Sequence, residues 1–148
     1  MAASPPPAML VFEPRRTRVG ALDVDIGIDA IAQGFRRDPP TALDLETAIE
    51  GIEEAISALG TLRADPVLTA DDPVLRQLAA AAGLDVRSDA LLAIEAVERL
   101  FTRLAAGSSG ALATADAVPA GRRPAAMLVL LRELMHHLRL QAVCVAPA

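Results

Sequence analysis

Two adjacent arginines, Arg122 and Arg123, precede a helix expected to begin at Pro124. A helix N-terminus already carries partial positive charge, so basic side chains there are locally unfavourable unless something negative answers them. Free backbone N–H groups beside two guanidinium groups suit a phosphate or a carboxylate. The competing reading is that both side chains extend into solvent or pair internally. No glycine-rich phosphate-binding signature accompanies them.

Glu133 and His136 have the Glu-x-x-His spacing used twice in di-iron bundles, and His137 lies one turn from Glu133. One copy does not make that centre, and without a Cys-x-x-Cys or His-x-x-x-His pattern no metal or other cofactor is expected. Asp23, Asp25 and Asp29 around Gly27 resemble a calcium loop only loosely. Counted from Asp23, Gly27 falls one place early and a glycine, Gly34, takes the place of the bidentate acid. They read as acids on the wet face of a strand. The single thiol, Cys144, has no activating base close in sequence except His137, and reads as a structural core residue. No catalytic constellation emerges, and Ser108 and Ser109 read as linker residues.

The sharpest charge asymmetry lies in the segment Thr41 to Leu59. It carries Asp44, Glu46, Glu50, Glu53 and Glu54 and no basic residue. Glu53 and Glu54 lie beyond the first turn, where the helix dipole no longer rewards an acid. The expectation is therefore a docking face for a basic partner, set against a solvated face neutralised by neighbouring arginines. The leading functional reading is a non-enzymatic adaptor, assembly factor or accessory subunit that binds a protein partner or itself through this helix. The alternative is a small anionic-ligand-binding or catalytic domain using Arg122 and Arg123, with His136 or His137 as acid or base.

Composition narrows the field. All 14 basic residues are Arg, and Lys, Asn, Tyr and Trp are absent, a bias expected of a G/C-rich, bacterial genome. A net charge of −5 argues against nucleic-acid binding, and the lack of Tyr and Trp leaves little for base stacking. One Cys cannot form an internal disulfide, so a reducing cytoplasm is expected. No apolar run approaches the roughly 18 to 20 residues of a membrane span.

These residues must be positioned by elements that the periodicity outlines. Pro5 to Pro7 imply a flexible arm over residues 1–8, followed by one globular domain over 9–148. Met9–Phe12 and Val19–Ile28 read as an antiparallel strand pair. Asp29 opens a short helical turn that ends before Asp38, Pro39 and Pro40. Thr41 with Asp44 forms a capping-box pattern for a long helix that Gly60 stops. Asp72 and Pro73 start a second helix ended by Gly83, Ser88 and Asp89 a third, and Pro124 a fourth that should be the most buried. Residues 107–121 read as a flexible loop, and Ala142–Val145 as a final strand beside the first two. The expected fold is α+β, about four helices over a small antiparallel sheet, with an all-α bundle as the alternative.

Overall fold

Alternation of apolar and polar residues produces the N-terminal strands of the computed structural model, which describes residues 8–59, 67–108 and 118–148. Strand β1 (Leu10–Phe12) pairs antiparallel with β2 (Thr17–Val19), which pairs antiparallel with β3 (Leu22–Val24). The span expected as one strand from Val19 to Ile28 is thus two structures. Gly20, at φ +60°, turns the chain between β2 and β3, a left-handed backbone that glycine adopts without steric cost. The chain then enters helix α1 (Ile28–Gly34).

Helix α2 (Ala42–Ser57) starts as the sequence implies. The Thr41 side chain accepts from the Asp44 amide while the Asp44 carboxylate accepts from the Thr41 amide, closing the capping box. Strand β4 (Val67–Ala70) follows, then α3 (Pro73–Ala81), β5 (Ala90–Ala93), α4 (Ile94–Ser108), α5 (Arg122–Leu138) and β6 (Ala142–Val145). Asp72 caps α3 by accepting from the amides of Val74 and Leu75, again as its Asp-Pro sequence implies.

The final strand is where the expectation fails. Instead of joining β1 and β2, β6 is the middle strand of a second sheet, in the order β4-β6-β5, parallel to β4 and antiparallel to β5. A bridge between Met9 and Thr69 connects this sheet to β1. The third helix begins at Ile94, because the four residues before it pair with β6.

Helix α5 packs against α1, α2, α3 and α4. Ala125 to Leu131 along it are all buried, together with Leu134, Met135 and Leu138. Against it lies one face of the sheets, including Leu10, Leu68, Leu92, Val143 and Val145, in a single apolar cluster. The architecture is the helix-dominated α+β class. Among the described residues no helix is long and apolar enough to cross a membrane. The arm proposed for residues 1–8, the loop at 107–121, and Gly60 and Ser109 fall wholly or mostly outside the described residues.

Candidate anion-binding site

Helix α5 begins without a side-chain cap. Gly121 occupies the N-cap position at φ +119°, a conformation that side chains rarely adopt, and as a glycine it has no side chain to accept from the first turn. The amides of Arg122 and Arg123 therefore lie at a helix start with no such cap, where the dipole favours negative charge.

The two guanidinium groups do different things. Arg122 Nε donates to the carbonyl of Phe35 at 3.1 Å, and its Nη2 reaches the carbonyl of Arg36 at 3.4 Å. On the other side of this connector, the Arg36 amide donates to Asp44 at 3.0 Å. Arg122 and Asp44 thus hold the segment between α1 and α2 from both flanks. Burial pushes the Asp44 carboxyl up, but the amides of Thr41, Arg36 and Arg37 and the Thr41 hydroxyl outweigh it and leave the group below its ordinary range.

Arg123 instead turns to Asp29, at 3.5 Å, in an exposed pair. Asp29 lines a groove of about 490 Å³ with Pro14, Arg15, Ala30 and Gln33. The turn between β1 and β2 supplies Pro14 and Arg15, and it sits against the start of α1 because Gly27 has no side chain. A Cβ there would lie 2.3 Å from the Pro14 carbonyl oxygen. That carbonyl accepts from the Asp29 amide at 3.1 Å, locking the groove's two walls together. Among the described residues Arg15 has no ion-pair partner.

The opposite end of α5 holds a second cluster. Arg132 Nε donates to Glu98 at 3.1 Å, Arg132 Nη1 donates to Glu133 at 2.9 Å, and His136 Nε2 contacts Glu98. The Arg132 guanidinium also stacks over the Phe101 ring at 4.2 Å. Glu98 is pushed up by burial but brought below its ordinary range by His136 and Arg132. Glu133 is raised, first by burial and then by Glu53, with Arg132 opposing. Glu53, Ser57, Glu133, His136 and His137 border one opening here. At 1.5 Å per residue this end lies about 21 Å from Arg122, so neither His is placed to act as acid or base on an anion at the arginines.

The other sequence-level candidates disperse. Asp23 pairs with Arg16 and Arg18, and Asp29 with Arg123, so the three N-terminal acids do not surround a common point. Among the described residues no group of three or more His, Cys, Asp or Glu side chains is arranged to hold a metal ion. Cys144 is half-buried in β6, opposite Thr69 and Leu91. Of the acids of α2, Glu46, Glu50, Glu53 and Glu54 recur at i, i+4, i+7 and i+8 on one exposed face, and Asp44 departs from it. Asp44 is buried in the cap, Glu53 borders the opening beside Glu133, and Glu46, Glu50 and Glu54 are exposed.

The helix-dominated α+β fold is similar to that of larger solved structures. A Ppx/GppA enzyme of Aquifex aeolicus superposes with a TM-score of 0.70 over 95% of this chain, at 15% identity. An exopolyphosphatase from Cytophaga hutchinsonii does so with a TM-score of 0.65 over 95%, at 14% identity. An exopolyphosphatase-like protein matches at 0.67 over 97%, at 13% identity. The chain spans about half of these structures, 52%, 52% and 56% of their respective lengths. Neither a family model nor a curated protein sequence matches the chain. These likenesses identify the fold, and they overturn the adaptor reading and the protein–protein role assigned to α2.

Proposed function

We propose that this chain is a phosphoanion-binding domain whose ligand lies at the N-terminus of α5, between Arg123 and Arg15. The observation that carries the reading is the start of a 17-residue helix with no side-chain cap from its N-cap residue, flanked by an arginine whose one ion pair among the described residues is with Asp29 at 3.5 Å. A phosphate entering the groove competes with Asp29 for Arg123 and gains the Arg15 guanidinium and the first-turn amides. Arg122 supports the site from behind through the Phe35 and Arg36 carbonyls. Similarity to phosphatases and exopolyphosphatases supports phosphate, in chains or esters, over a carboxylate ligand. The half-buried lone thiol fits a reducing, cytoplasmic setting.

The test is calorimetry and thermal denaturation with inorganic phosphate, pyrophosphate and polyphosphate. Saturation at 100 times Kd stabilises the folded state by about 2.7 kcal/mol. At this chain length that corresponds to a rise in Tm of roughly 10 °C. Replacing Arg15 and Arg123 together with Ala removes the rise. A rise that persists in that variant rules these residues out as the site. Release of orthophosphate from polyphosphate would extend the reading from binding to hydrolysis.

A further inference from the structure

Helix α1 separates two openings. On one side is the groove with Arg15 and Asp29; on the other, between α1 and α2, is an apolar cavity of about 170 Å³. Ile26, Ile31, Phe35 and Ala48 line the cavity, and Asp44 and Thr47 edge it. Ala30 borders both openings. The exposed surface of α1 between them is Ala30, Gln33 and Gly34, so no bulky apolar or charged side chain divides the two. Gly34 and Gly51 keep the cavity roomy, since a Cβ on either would meet nothing within 4 Å.

Size and charge narrow what fits. An apolar cavity of about 150 Å³ accommodates benzene. The Asp44 carboxylate at the rim stays ionised below the ordinary range and repels a second anionic group, so the cavity favours an uncharged one. Resting on the phosphoanion reading, we propose that the ligand is a phosphate monoester. Its phosphate meets Arg15 and Arg123, and its uncharged organic group, a ring or chain of about six carbons, crosses Ala30 into the cavity between α1 and α2.

The experiment compares hexyl phosphate, inorganic phosphate and hexanol by calorimetry on the full chain. The ester binds at least about tenfold more tightly than inorganic phosphate, because burying methylene groups adds to the ionic contacts. Gly51→Leu fills the cavity and brings the ester down to the affinity of inorganic phosphate, while Gly51→Ala gives an intermediate loss. If Gly51→Leu fails to fold by circular dichroism, Gly51→Ala carries the comparison, its Cβ entering open space. Equal affinity for ester and inorganic phosphate in the unaltered chain overturns the proposal and leaves the anion site standing. An ester preference that survives in folded Gly51→Leu also overturns it. Binding of hexanol without either phosphate overturns both the monoester and the phosphoanion reading.

Discussion

Arg122 and Arg123 are neighbours with the same chemistry, yet replacing each with Ala should produce opposite effects. Arg122→Ala removes a charge-assisted bond of 3.1 Å to Phe35 and a longer one of 3.4 Å to Arg36. Bonds of this type contribute about 1.5–3 kcal/mol when well formed, and solvent can replace part of the longer one, so a loss of about 1–2 kcal/mol is expected. That lowers Tm by roughly 4–8 °C at this chain length. Arg123→Ala removes only an exposed pair at 3.5 Å, worth less than about 1 kcal/mol, so Tm moves little while phosphate affinity falls at least tenfold. Urea denaturation read by circular dichroism gives the stability of each variant, and phosphate calorimetry gives the affinity. The division of labour is refuted if Arg123→Ala destabilises as much as Arg122→Ala, or if Arg122→Ala is neutral.

Three further outcomes follow from the packing and the charge network. Glu133 has its carboxyl raised, so the folded chain holds that proton more tightly than the unfolded one, and stability should decline as pH rises from the ordinary glutamate range through the raised value. Glu98 is lowered and works in reverse: its contribution is present above the unfolded value and is lost as pH falls through the folded one. Urea midpoints against pH should therefore flatten in different windows for Glu133→Gln and Glu98→Gln. Gly27→Ala should cost on the order of 3 kcal/mol or prevent folding, because its Cβ overlaps the Pro14 carbonyl; a native-like denaturation midpoint would contradict this. Leu130→Ala, fully buried in α5, should cost about 2–5 kcal/mol by the same assay.

What the sequence revealed was whatever local chemistry decides. The Thr41 and Asp44 pattern announced the start of α2, and Asp72 with Pro73 announced α3, because each cap is closed by residues within a few positions of itself. Ala90 to Ala93 could not be recognised as a strand, since its leucines continue the apolar rhythm of α4 and only pairing with β6 makes them extended. The same limit applied to the site. The mismatch of positive charge at the start of α5 was visible, but the carbonyls that bind Arg122 belong to residues 35 and 36. Equally, a row of acids on α2 does not reveal that Asp44 is turned inward to its own cap while Glu53 faces Glu133 across an opening. The cavity between α1 and α2 arises from two helices meeting, which no single periodicity encodes.

The order of strands in the second sheet sets a constraint on how the chain acquires its structure. Strands β4 and β5 are not neighbours in this sheet; β6, the last of the six strands among the described residues, lies between them. Until Ala142 to Val145 insert between them, β4 and β5 leave unpaired the edges that β6 will occupy, and the interior they help enclose with α5 stays open. Pairings between distant segments are slow to form because the loop between them must be ordered first. During that interval the apolar strands Val67–Ala70 and Ala90–Ala93 offer open edges to any other extended chain, so the vulnerable period for misassembly ends only with the arrival of the central strand.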